Sequence, residues 1–102
     1  SAIEINAARL MVLRAAWELD QGRDGRAWIS MVKVQAAETL GRVADRAVQV
    51  FGGMGFCKDL PIERYFRDAR IYRIFDGTSE IHRSVLGRSL LEQGRELFDI
   101  GI

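Results

Sequence analysis

Apolar residues recur three and four apart along most of the chain. Between Ala2 and Gln21 they stand at Ile5, Ala8, Met11, Val12, Ala15 and Leu19, the spacing of one helix face. Gly22 is placed to stop that helix. From Trp28 to Phe51 the period continues through Ile29, Val32, Ala36, Leu40, Val43, Ala47 and Val50, with Glu38 and Arg42 four apart in the favourable order. Gly41 lies inside this run; glycine there costs about 1 kcal/mol against alanine, and close approach of another helix is the expected reason. Pro61 opens a third helix, reaching Phe75, with Asp59 as its candidate cap. Glu63/Arg67 and Arg64/Asp68 are spaced in it as ion pairs. Asp76-Gly77 breaks it, and Thr78 or Ser79 caps a last helix to about Gln93, running through Ile81, Val85, Leu86, Leu90 and Leu91. Glu80 falls in its first turn, where the macrodipole favours an anion. No stretch alternates with the period of a strand. The pattern predicts an all-α antiparallel bundle of about four helices, two long and two shorter, in one domain.

Composition narrows the class. The chain has 102 residues and a mass of 11.5 kDa; a compact domain of that size has a radius of gyration of about 13 Å and buries roughly 65% of its unfolded surface. Hydrophobic residues at 48% and charged residues at 28% are a globular balance, not a disordered one. A net charge of +1 argues against a nucleic-acid partner. One Cys and one His allow neither a disulfide framework nor a Cys/His zinc site, so no metal is expected. A reducing compartment is favoured, cytoplasmic or, in a eukaryote, the mitochondrial matrix. No apolar run approaches the roughly 20 residues of a membrane span. The N-terminus lacks a starting Met and a signal-peptide layout, which suggests a processed chain or a piece of a longer one.

Three stretches could carry chemistry. The first is Gln49-Val50-Phe51-Gly52-Gly53-Met54-Gly55-Phe56. Its glycines would let a backbone approach a phosphate. It lacks the spacing and the preceding strand of a dinucleotide fingerprint, so a helix C-cap with a tight turn is the plainer reading. The second is the row Arg64, Arg67, Arg70 and Arg73 among Tyr65, Phe66 and Tyr72. Glu63, Asp68 and Asp76 intervene, which favours a salt-bridged face over nucleic-acid readout. The third is Asp76-Gly77-Thr78-Ser79-Glu80, where a carboxylate at a helix break is either a capping group or a general base facing a cleft. His82 reads as a solvent, salt-bridge or interface residue, and Cys57 as a structural or exposed thiol.

Together these stretches resemble the C-terminal helical domain of the acyl-CoA dehydrogenase family. Ala47-Val48-Gln49-Val50-Phe51-Gly52-Gly53-Met54-Gly55-Phe56 is similar to that family's "AVQ-aliphatic-x-GG-x-G-aromatic" segment. Lys58-Asp59-Leu60-Pro61-Ile62-Glu63-Arg64, followed by Arg67-Asp68-Ala69, is similar to its "KD-x-P-x-ER…RDA" segment. Ile74-Phe75-Asp76-Gly77-Thr78-Ser79-Glu80-Ile81 is similar to its "I-aromatic-E-GTSEI" segment, with Arg88 continuing it. The likeness runs from about Lys33 to Leu91, and more loosely through Arg14-Ala15-Ala16-Trp17.

The resemblance implies an FAD-dependent oxidoreductase that oxidises the Cα–Cβ bond of an acyl-CoA, and the C-terminal domain of a larger chain. It implies self-association as dimer or tetramer, and an electron-transfer flavoprotein or other acceptor as partner. Gln49, Val50, Phe51, Gly52 and Gly53 would touch the FAD of a neighbouring subunit. Thr78, Ser79 and Glu80 would lie against FAD phosphate, ribose or adenine groups, and Gly77 would pass close to the acyl thioester. Asp76 stands where many members carry the catalytic Glu, one methylene and about 1.5 Å shorter; a misplacement of that order costs around a hundredfold. Its backbone N–H would polarise the thioester carbonyl. Other members carry the base on an earlier helix, which this chain, starting within the domain's second helix, would lack. The chain alone is then expected to be inactive and to bind FAD weakly at best. The alternative is a stand-alone, non-catalytic helical interaction module derived from that family.

Overall fold

The computed structural model describes residues 1–99. They form α1 (Ala2–Asp20), α2 (Arg26–Phe51), α3 (Gly53–Phe56), α4 (Ile62–Ile71), α5 (Ser79–Gln93) and a closing 3₁₀ turn, Gly94–Phe98. No strand occurs among the described residues, in line with the expected all-α class.

The ends of the helices follow local hydrogen bonding. α1 stops before Gly22, whose φ of +74° lies in the left-handed region and whose N–H donates to the Leu19 carbonyl at 3.0 Å. α2 starts two residues earlier than its apolar pattern, because the Asp24 carboxylate accepts the Arg26 N–H at 3.1 Å and the Arg26 guanidinium at 2.7 Å. Asp59 does not cap α4. Pro61 itself holds the cap position, and its carbonyl accepts from the Tyr65 N–H at 3.0 Å. α4 ends at Ile71 rather than Phe75, and residues 72–75 pass into turns. Thr78 is the cap of α5, its Oγ1 accepting the Ile81 N–H at 3.2 Å. Gly52 ends α2, as expected, but the glycines beyond it wind one more helical turn, α3. A Cβ on Gly55 would lie 2.7 Å from the Val48 carbonyl oxygen and 2.9 Å from Phe51 Cβ, so only glycine lets that turn fold back onto α2.

α2 is the hub. At backbone distance α1, α4 and α5 each meet α2, and among the described residues none of the three meets another. Each runs antiparallel to it. Glu4, at the start of α1, reaches Arg42 and Arg46 near the end of α2. Trp28, at the start of α2, packs edge-on against Phe98, beyond the end of α5, with centroids 5.9 Å apart. Alanine supplies five of the seven buried apolar residues: Ala15, Ala27, Ala37, Ala44 and Ala69, beside Trp28 and Leu97. Such small side chains suit helix axes at the close end of the usual 8–10 Å range.

Of the apolar positions on α1, Ala8, Met11 and Ala15 meet α2, beside Arg14 and Glu18, while Ile5, Val12 and Leu19 stay exposed. Two expectations about packing are corrected. Gly41 is not a close contact, since a Cβ there would meet nothing within 4 Å. It borders a cleft of about 410 Å³ shared with Glu38, Arg42, Asp45, Phe66, Arg70 and Arg73; the tightly packed positions are Ala37 and Ala44, one turn to either side. Glu38 and Arg42 do not pair with each other: Arg83 of α5 donates to Glu38 at 2.7 Å, and Arg42 reaches across to Glu4 at 3.4 Å. On α4 the Glu63–Arg67 pair forms at 2.7 Å. At the opposite corner, Glu18, only 3% exposed, accepts from Arg14 and Arg23 at 2.7 and 3.2 Å. The Arg14 guanidinium lies 4.3 Å from the Trp28 ring centre.

The double grip of Arg46 and Arg42 holds the Glu4 carboxyl down to about 2, chiefly through the Arg46 hydrogen bond. A depressed carboxyl stabilises the fold above its unfolded value and loses that contribution as pH falls through its folded one. Resistance to urea should therefore hold from neutrality to about pH 4.5 and then decline toward pH 2. Glu4→Gln should remove part of that decline, and because the pair is exposed, 0.5 M salt (roughly a 4 Å screening length) should shrink the difference. Urea midpoints measured across this window, with and without salt, check it.

The molecule is elongated, 50 × 26 × 19 Å, with a radius of gyration of 16.3 Å rather than about 13 Å. The 26-residue α2 alone spans about 39 Å. The accessible surface of the whole chain is 7249 Å², against about 5,800 Å² for a compact monomer of this mass, so burial is nearer about 57% than 65% of the unfolded surface. Ile3, Val50, Phe56 and Leu91 are each more than 80% exposed. No described helix is long and apolar enough to cross a membrane.

Candidate functional site

Residues 72–78 link α4 to α5 and carry the most unusual backbone of the chain. Asp76 has φ +54°, a positive value otherwise confined, among the described residues, to glycines; Gly77 follows at +88°. Aspartate tolerates this left-handed region better than most side chains. Gly77 is required twice over, because a Cβ there would also lie 2.7 Å from His82 Nε2.

Two side chains fasten this link. Lys33 of α2 extends its ammonium into the loop and donates to the carbonyls of Tyr72, Phe75 and Gly77, the last two at 3.0 and 3.2 Å. It also lies 5.6 Å from the centre of the Phe75 ring, which packs edge-on against Tyr72 at 4.9 Å. His82 of α5 bridges the Asp76 carbonyl, 3.0 Å from Nε2, and the Ser30 hydroxyl, 3.0 Å from Nδ1. A carbonyl only accepts, so Nε2 carries the proton. His82 is thus a bridge inside the chain rather than a solvent or interface residue.

These bonds engage carbonyls and leave N–H groups open. Among the described residues, none accepts the N–H of Asp76, Gly77 or Thr78, and none donates to the Asp76 carboxylate, which is exposed. Successive N–H groups on left-handed backbone form a concavity suited to an anion or oxyanion. The N-terminus of the 15-residue α5 adds its dipole beside them. Glu80 is exposed and Thr78 half-buried, whereas Ser79 is 3% exposed, its hydroxyl without a partner and its N–H given to the Arg73 carbonyl at 3.2 Å.

The other candidate segment stands apart. Gln49, Val50, Phe51, Gly52 and Gly53 form an exposed ridge at the far end of α2. Sixteen residues of helix separate Lys33 from Gln49, about 24 Å, so a single chain does not bring the two segments together. Cys57 is free and exposed. Arg70 and Arg73 line the cleft at Gly41, in company with Glu38 and Asp45.

The family described as "Acyl-CoA dehydrogenase, C-terminal domain" matches residues 1–91. The chain belongs to the acyl-CoA dehydrogenase family. (R)-Benzylsuccinyl-CoA dehydrogenase of Thauera aromatica is 44% identical over 96 residues, covering 93% of this chain and 24% of that protein. Butyryl-CoA dehydrogenase from Megasphaera elsdenii superposes with a TM-score of 0.85 at 37% identity, over 88% of this chain and 24% of its own. The FAD complex of PigA gives the same TM-score at 33% identity, over 91% and 24%. The chain thus spans about a quarter of the length of the relatives it matches. The all-helical class is what the sequence pattern implied, and the family is the one its motifs resembled.

Proposed function

We propose that this acyl-CoA dehydrogenase domain supplies one wall of an FAD-dependent site that oxidises the Cα–Cβ bond of an acyl-CoA thioester. The observation that carries this reading is the left-handed Asp76–Gly77 pair, with an unpaired carboxylate and open N–H groups side by side. Asp76 takes the α-proton, its N–H donates to the thioester carbonyl, and Gly77, lacking a side chain, lets the acyl group pass. FAD, when bound, would supply the acceptor for the hydride that leaves Cβ.

The residues suit that cofactor in two places. Thr78 and Glu80 flank the α5 N-terminus, a setting for FAD phosphate, ribose or adenine groups; Ser79 belongs to this set by sequence position, with its side chain turned inward. The exposed ridge Gln49–Gly53 is free to meet the FAD of a neighbouring subunit. That pairing, and the surplus of exposed apolar surface, argue for a dimer or tetramer. The electron acceptor of such a site would be an electron-transfer flavoprotein or another carrier. A second reading, a non-catalytic helical interaction module, draws on the same outward apolar faces.

Anaerobic addition of acyl-CoA thioesters to the full-length flavoprotein separates the two. Bleaching of the oxidised flavin's visible absorption, with release of the enoyl-CoA, is expected. A flavin-loaded protein that no short, branched or aromatic acyl-CoA bleaches would leave the interaction module.

A further inference from the structure

We infer that Lys33 is a positioning residue of this site, aiming the Asp76 N–H by holding the carbonyls around it. The inference rests on the dehydrogenase reading above. Every peptide bond among the described residues is trans, so each C=O and the N–H on the same plane point in opposite directions. Lys33 draws the Phe75 carbonyl toward α2 at 3.0 Å, which turns the Asp76 N–H away from α2. His82 does the same to the next plane through the Asp76 carbonyl, and Lys33 to the one after through the Gly77 carbonyl. Three consecutive N–H groups are thereby turned outward, and none has an acceptor among the described residues.

The chemistry of lysine fits this task. An ammonium has three protons, and the three carbonyls of Tyr72, Phe75 and Gly77 take them. Lys33 forms no ion pair with a carboxylate among the described residues, so its charge is directed at backbone. A cation on a peptide carbonyl also polarises that peptide and strengthens its N–H as a donor. Truncating Lys33 frees the Phe75–Asp76 and Gly77–Thr78 planes, while His82, hydrogen-bonded to Ser30 at 3.0 Å, still holds the Asp76–Gly77 plane between them.

The test uses the full-length flavoprotein carrying Lys33→Met. Its readouts are kcat, KM, flavin content and the infrared carbonyl stretch of a bound, isotope-labelled acyl-CoA thioester. The expected result is a fall in kcat of about a hundredfold, the cost of a misplacement near 1 Å. KM should stay within about threefold, flavin content should be unchanged, and the stretch should move back toward that of the free thioester. His82→Leu, which removes the donor to the Asp76 carbonyl together with the acceptor of the Ser30 hydroxyl, should lose about tenfold with a shift in the same sense, and His82→Gln, which keeps an N–H donor, should recover most of it. This second pair decides the matter if Lys33→Met does not fold. A retained kcat, or a lost kcat with an unmoved carbonyl stretch, overturns the inference while leaving the dehydrogenase reading intact. A parent protein that dehydrogenates no acyl-CoA overturns both.

Discussion

Asp76→Asn, introduced into the full-length protein, is expected to lower kcat by about 10² to 10⁴, the range for a lost general base, with thermal stability unchanged. The two halves of that expectation come from different features. Asparagine keeps the size of aspartate and its backbone N–H, but offers the substrate no proton acceptor at neutral pH. It is also at home in left-handed backbone, the conformation of Asp76 at φ +54°. No side chain among the described residues depends on the carboxylate, so no ion pair is lost. An activity loss therefore cannot be ascribed to unfolding. Asp76→Glu, by contrast, keeps the acceptor and should stay active. Steady-state kinetics beside a thermal melt decide it, and an Asn variant that retains most of its kcat would place the base elsewhere.

The largest loss of stability is expected at Gly77. An L-residue at φ +88° is strained by about 1–2 kcal/mol. In Gly77→Ala the new Cβ would also sit 2.7 Å from His82 Nε2, so the ring must leave its place between Ser30 and the Asp76 carbonyl. Each hydrogen bond given up costs about 0.5–1.5 kcal/mol. The total, about 2–5 kcal/mol, corresponds to a melting temperature lower by roughly 10–30 °C at this chain length. Gly41→Ala is the matched control. Gly41 is helical, lies outside the positive-φ set and has open space around it, so alanine there should add up to about 1 kcal/mol. Equal melting temperatures for Gly77→Ala and the parent would contradict the close packing of the His82 ring.

The helices were legible in the sequence because period and punctuation are local. Thr78, Gly22 and Gly52 act within three or four residues of themselves, and all three end or start helices as their types suggest. The inward faces were harder to read. Periodicity grouped Ile5, Ala8, Met11, Val12, Ala15 and Leu19 on α1 without dividing those that meet α2 from those that do not. The chain packs that helix through Ala8, Met11 and Ala15, flanked by Arg14 and Glu18. The candidate site divides in the same way. Asp76 and Gly77 stood out because a carboxylate beside a glycine between helices is a local signal. Lys33 and Ser30 gave none, since their partners lie 39 to 52 residues away. A lysine on a helix otherwise reads as a solvated charge. Asp59 failed as a cap for a comparable reason: Pro61 occupies the position from which a cap must reach.

The alanine seam around α2 divides the labour of the sequence in two. Residues that decide whether the helices close on one another are small, and they sit at Ala15, Ala37, Ala44 and Ala69. Large apolar residues such as Ile3, Val50, Phe56 and Leu91 point away from that seam and add little to closing it. The two sets share no position. Substitution on the outer set can therefore retune what the domain adheres to without disturbing how it folds, whereas a single added methylene on the inner set pushes whole helices apart.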